Sequence, residues 1–170
     1  MSDTVFFKGP NNVSKLFAEW HDCVLGKQIP DFSVTTISGE KIETQKLRGK
    51  VLVIDFWMID CYPCIAELPY LNQMVEEYKN KNVVFLAITF ETLTRLNSDF
   101  FPKYKFDFSI VSDAKSVIDS FGGSGYPKTF IFDKTGKIKE VWPGGFTNEK
   151  NKNDMYLNAK PIIDKLLKAE

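Results

Sequence analysis

The sequence predicts an α/β sandwich, a mixed sheet with helices packed against it. Three observations point there. Two near-continuous apolar runs, "VLVIDFW" from Val51 and "NVVFLAITF" from Asn82, have the character of strands buried on both faces. The stretch between them carries apolar residues at helical spacing, so the two strands should lie parallel, joined by a right-handed crossover. Downstream, "KTFIFDKTGKIKEVW" reads as an antiparallel hairpin and precedes an amphipathic tail.

Taken in order, Val13, Leu16, Phe17, Trp20 and Val24 recur at helical spacing behind Asn11 and Asn12, which suit capping positions. Residues 1–24 are therefore expected to form a helical extension and residues 25–170 the main domain, with no Gly/Ser/Pro-rich linker dividing it. "PDFSVTTISGEKIE" reads as two short strands turned at Ser38–Gly39. A long helix is expected from about Cys61 to Asn80, with Leu68, Leu71, Met74, Val75 and Tyr78 on one side and Pro69 kinking it. "TRLNSDFFPKY" and "DAKSVIDSF" read as further helices, and the late hairpin should turn at Lys134–Thr135–Gly136. The last helix presents Ile162, Ile163, Leu166 and Leu167, with Pro161 suited to its first turn.

Composition narrows the function classes. The chain has 170 residues, 44% of them apolar and 15 of them Phe, enough for a sizeable core in one domain. Lys plus Arg equals Asp plus Glu at 22 each, so no charge excess argues for a nucleic acid or a membrane surface as partner. No run approaches the length of a transmembrane span. The start "MSDTVFFKGP" lacks the basic flank and apolar run of a secretory leader, which leaves a cytoplasmic protein or the mature part of an exported one. Three cysteines are too few for a disulfide scaffold.

The chemistry-bearing motif is "CYPC", Cys61 to Cys64, at the junction of a strand and a helix. There Cys61 would lie over unpaired backbone N–H groups that favour its thiolate, and Cys64 would follow one turn later. Pro63 suits the first turn, where its missing N–H costs nothing. Such a pair supports thiol–disulfide exchange, Cys61 attacking a substrate disulfide and Cys64 resolving the mixed species. Two blander readings compete. His21 and Cys23 would complete a Cys₃His count for zinc, but residues two apart on a helix point to nearly opposite sides. A purely structural Cys61–Cys64 disulfide would close a tiny loop and stabilise little. Pro127, in "GSGYPKTFIFD", precedes an apolar strand; a cis Tyr126–Pro127 bond would free the Tyr126 backbone for an extended substrate, against the plainer reading of a trans loop proline.

These segments resemble the thioredoxin superfamily, specifically its TlpA/ResA-like disulfide reductases, a branch related to the AhpC/TSA redoxins. The resemblance runs through "GKQIPDFSVTTISGEKI", "LRGKVLVIDFW", "CYPCIAELPYL" and "GYPKTFIFDKTGKI", from Gly26 to about Ile138. It implies a thioredoxin-like fold with an added N-terminal hairpin, Cys61 as nucleophile, Cys64 as resolver and Pro127 cis beside them. It implies that Asp55 matches the buried strand carboxylate that relays protons to the resolving cysteine, and that Glu67 matches an acid assisting proton transfer. Each would need a raised pKa to exchange protons near neutrality; for Glu67 a solvated first-turn acid is the alternative. Trp57 would wall the site, with Tyr126 and Pro127 against the substrate. No cofactor beyond the Cys61–Cys64 disulfide and no metal is expected. The implied partners are disulfide-bearing protein clients and an upstream electron-donor thiol protein, in the periplasm or cell envelope.

The departures also carry information. Family members commonly have Trp before the first cysteine and a basic residue after the second; here Asp60 and Ile65 stand there. One anion gained and one cation lost should oppose thiolate formation, making the protein a reductant rather than a strong oxidant; Lys128 would partly offset the lost cation if its side chain points at the site. The alternatives are a peroxiredoxin-like peroxidase, which Met58 in place of a Thr or Ser three residues before Cys61 opposes, and a non-catalytic binding module. Cys23 is expected to be buried beside Trp20 and His21 to be at the surface, and the pairs Phe6–Phe7 and Phe100–Phe101 are expected to pack rather than bind.

Overall fold

The computed structural model describes residues 19–122, 125–143 and 154–169. Residues 19–24 are helical; the rest of the predicted 1–24 extension, with Phe6 and Phe7, lies outside the described residues. A two-stranded antiparallel hairpin follows, β1 (Ser33–Thr35) and β2 (Lys41–Glu43). Gly39 takes the left-handed conformation its turn demands (φ +88°). The main sheet comprises β3 (Val51–Phe56), β4 (Val83–Ile88), β5 (Ser109–Val111), β6 (Lys128–Phe132) and β7 (Ile138–Pro143), in the order β5-β4-β3-β6-β7. β3, β4 and β5 run parallel, and β6 and β7 are antiparallel to their neighbours, so the sheet is mixed as expected.

Helix α1 (Tyr62–Tyr78) is the crossover between β3 and β4. Its buried positions Cys64, Glu67, Leu68, Leu71, Met74 and Tyr78 form the stripe that a 3.6-residue period lays against a sheet. Each fully buried apolar side chain in it contributes about 2 kcal/mol, which lets the helix continue through Pro69. The short α2 (Leu93–Arg95) widens into π-type turns at Leu96–Phe100, and α3 is Lys115–Ser120. Helix α4 (Asp154–Lys168) closes the chain beside α1.

Two cores result. Val51, Val53 and Trp57 face α1, α4 and Phe100; Leu52, Ile54 and Phe56 face α3, the hairpin and Trp20. The structure adds β5, only three residues long and formed by pairing with β4, and two expectations are corrected. Pro161 lies inside α4, not in its first turn, because Met155, Tyr156 and Ala159 extend the buried face upstream. Their burial outweighs an interior proline's cost of about 3 kcal/mol. Cys23 is exposed, since Trp20 and Val24 carry the packed face and Cys23 falls at its edge, within 3.4 Å of the Lys27 ammonium.

Candidate active site

β3 is the central strand of the sheet, and a five-residue loop, 57–61, hands the chain to α1. The Cys61 N–H donates to the Met58 carbonyl (3.3 Å), fixing a turn that sets Cys61 as the helix N-cap, with Pro63 in the first turn. The Cys61 sulfur accepts the Cys64 N–H at 3.2 Å, one of the donors a helix start leaves unpaired. Cys61 and Cys64 are joined by a disulfide, S–S 2.10 Å and Cα–Cα 5.2 Å. Cys61 is 8% exposed and Cys64 2%, so the outer sulfur is that of Cys61. A thiolate at Cys61 would inherit the Cys64 N–H and the positive end of α1.

Behind the disulfide are two buried carboxyls. Asp55 shares the α1-facing side of β3 with Val53 and Trp57 by strand alternation, and Glu67 sits one turn beyond Cys64 in the buried stripe. The Thr129 hydroxyl, directly across the β3–β6 ladder, donates to Asp55 at 2.8 Å. Burial pushes the Asp55 pKa up to about 7 against the opposing pull of that hydrogen bond. Glu67 is pushed up to about 9, by burial first and by the nearby Asp55 second, and its Oε1 has no hydrogen-bond partner among the described residues. The solvated first-turn acid is therefore not what the structure contains at Glu67.

The Tyr126–Pro127 bond is cis, Pro127 is buried and Tyr126 is half-buried against Phe90, ring centroids 5.8 Å apart. Tyr62, between the cysteines, is 68% exposed. Trp57 differs from the expectation. It is sealed from solvent against Phe100 (4.6 Å) and Phe106 (5.4 Å), so it supports the site from beneath and offers no face to a substrate. Lys128 also differs. It shares a sheet face with Phe130, opposite to Asp55 and Thr129, and its ammonium lies over the Trp20 ring at 5.2 Å. It cannot replace a cation beside Cys61.

The cation that is present escaped the sequence reading. Arg95 bonds Asp60 (2.5 Å) through one guanidinium nitrogen and the buried Glu91 (2.7 Å) through another, with Asp99 at 3.5 Å. Glu91 and Arg95 stand four residues apart, a spacing that signals a local pair; nothing in the sequence signals their reach to Asp60. Asp60 is thus not the lone anion assumed above. His21 is half-buried and bonds Glu140 at 2.5 Å, and among the described residues no group of three or more His, Cys, Asp or Glu side chains is placed to hold a metal.

The chain is similar to known proteins. The AhpC/TSA family model matches residues 25–141. The thiol-disulfide oxidoreductase ResA of Bacillus thuringiensis (strain Al Hakam) is 34% identical over 134 residues, covering 78% of each chain. The thioredoxin-like protein YneN of Bacillus subtilis is 32% identical over 136 residues, covering 78% of this chain and 79% of its own. Among solved structures, StoA from Bacillus subtilis superposes with a TM-score of 0.59 at 26% identity, over 74% of this chain and 96% of that one. No helix among the described residues is long and apolar enough to cross a membrane. With a thioredoxin-like fold, a Cys61–Cys64 disulfide at a helix start and these relatives, the chain belongs to the AhpC/TSA family and is a thiol-disulfide oxidoreductase.

Proposed function

We propose that the protein reduces disulfides of protein clients in the cell envelope, the two sulfurs themselves carrying the electrons. The observation that carries this reading is the Cys61 sulfur, the more accessible of the pair, capping α1 with two protonatable carboxyls buried behind it. In the reduced protein the Cys61 thiolate attacks one sulfur of a client disulfide, and the other client sulfur leaves as a thiolate. The Cys64 thiol, its proton passing to the Asp55 carboxylate beside the protonated Glu67, then attacks the Cys61 sulfur and expels the second client sulfur as a thiolate. Two electrons have moved from protein to client; the client thiolates take one proton by way of the carboxyl that received it from Cys64 and the other from solvent, and a donor dithiol protein restores the reduced pair. The client lies over Tyr62 and the Tyr126–Pro127 turn.

The reducing direction draws support from Ile65, which puts no cation after Cys64, and from Arg95, whose charge three carboxylates already occupy. A thiolate with so little cationic support leaves the disulfide hard to reduce, the property of a reductant. The envelope location rests on the resemblance to TlpA/ResA-like proteins. Equilibration with glutathione should give a low potential; a potential in the range of a strong oxidase would overturn the direction. Cys64→Ser should trap a Cys61–client mixed disulfide, and thiol-dependent peroxide consumption at rates exceeding disulfide reduction would favour the peroxidase instead.

A further inference from the structure

The Arg95 cluster lies beside the disulfide without belonging to the exchange chemistry. Asp60, 65% exposed, immediately precedes Cys61. The second carboxylate on Arg95, Glu91, is 3% exposed and also accepts the Ile59 N–H at 3.3 Å. Its backbone holds the neighbouring loops, the Glu91 N–H donating to the Thr89 hydroxyl and the Glu91 carbonyl accepting from Asp113. One guanidinium therefore joins the loop that delivers Cys61 to the segment after β4, across 35 residues of sequence. Burying Glu91 is tolerable only with such a partner.

We propose that Arg95 is a positioning residue that neutralises Asp60 and thereby sets how readily Cys61 ionises. The other titratable groups on the elements around Cys61 are Asp55 on β3, Glu67 on α1, Tyr126 on the turn before β6, and Glu91 and Asp99, which share Arg95, while Lys128 faces the opposite side of the sheet. Among the described residues, Arg95 is the cation paired with Asp60. Without Arg95, the carboxylate on the residue before Cys61 would oppose the thiolate and slow exchange at neutral pH. The inference deepens the proposed reaction at Cys61 and rests on that reading.

The test is the pH dependence of alkylation at Cys61 in the fully reduced chain, followed at that residue by mass spectrometry. It needs no client, so it can fail while the reductase reading stands, and the reverse. Arg95→Gln should raise the midpoint by about half a pH unit to one unit, slowing alkylation below it about three- to tenfold. Asp60→Asn alone should change it much less than Arg95→Gln does, because Arg95 already offsets part of the Asp60 charge. In the Arg95→Gln background, Asp60→Asn should restore most of the lost rate. An Arg95→Gln midpoint equal to wild type, or one that moves equally with Asn at position 60, overturns the proposal. A merely structural brace would lower the melting temperature and leave the titration unmoved. Should Arg95→Gln fail to fold, Asp60→Asn decides alone, and a shift near a full unit would show that Asp60 is not neutralised.

Discussion

The two faces of the central sheet both carry an apolar core with packed aromatic rings, but they differ in what they bury beside it. On the α3 side, Phe56, Phe121, Phe130 and Phe132 pack ring on ring at 5.1–6.2 Å, with Trp20 against Phe130, around buried aliphatic residues. On the α1 side, the same strands bury Asp55 and Thr129, and α1 adds Cys64 and Glu67. The first face obtains stability from dispersion and water exclusion. The second gives some of it up, because a carboxyl held in a dry site is either a costly charge or a proton taken from solvent. The contrast shows where the chain separates holding its shape from doing its chemistry.

Replacing residues on each face should therefore produce different failures. The largest effect is expected from Cys61→Ser, which should reduce disulfide exchange to background while leaving the melting temperature close to that of the reduced wild type. Insulin or a disulfide peptide as substrate, with thermal unfolding alongside, would measure both; retained exchange would show that Cys64 alone suffices. Next comes Phe130→Ala. It should cost about 3–5 kcal/mol of stability, a cavity at the centre of the aromatic cluster, yet leave exchange per folded molecule unchanged. Denaturant unfolding reads the first quantity, and activity well below the melting temperature the second.

Asp55→Asn sharpens the comparison by exchanging function for stability. The folded-state pKa of Asp55 stands near 7, above its ordinary 3.8. Between those values the native state holds a proton the unfolded chain has released, so stability falls as pH rises through the window and stays reduced above it. Glu67, raised from 4.5 to about 9, extends the same trend upward. The Asn variant should gain about 1–2 kcal/mol over wild type at pH 8, none at pH 4, and lose the part of the exchange rate that depends on a proton acceptor for Cys64. Unfolding free energies at the two pH values, with rates of mixed-disulfide resolution, check each half.

The sequence showed the parts of this site that adjacent residues create. Cys61 and Cys64 are read from a strand ending and a helix starting, and Asp55 from the family resemblance of the apolar run that contains it. The two hairpins are read from glycine turns. What it hid was non-local. β5 exists because Leu86–Ile88 offers it a ladder, and three residues carry too little pattern to announce that. Asp60 looked like an unopposed charge because its partner lies 35 residues away. Trp57 looked like a wall because a motif says which residue is near, and only packing says which face it shows. Cys23 sat one position off a helical stripe whose edge only tertiary contact defines.

The same reasoning reaches the seam between α1 and α4, where the polar groups are exposed enough to be cheap. Glu77 on α1 accepts from Tyr156 (2.6 Å), Gln73 (3.0 Å) and Lys160 (2.6 Å), and these hydrogen bonds, the one from Lys160 foremost, hold its pKa down near 2. Here the sign is opposite to that at Asp55. The unfolded chain takes up a proton first, so the contribution is complete above pH 4.5 and disappears as pH falls towards 2. The side chains of Glu77 and Lys160 are 30% and 40% exposed, so solvent screens much of the attraction. Glu77→Gln should therefore cost no more than about 1 kcal/mol at pH 7 and nothing at pH 2, with the neutral-pH loss shrinking in high salt. A larger, salt-insensitive loss at pH 7 would mean that α4 is held by Glu77 as a buried group, and that the α1 side stores more of its stability in polar contacts than the comparison of the two faces allows.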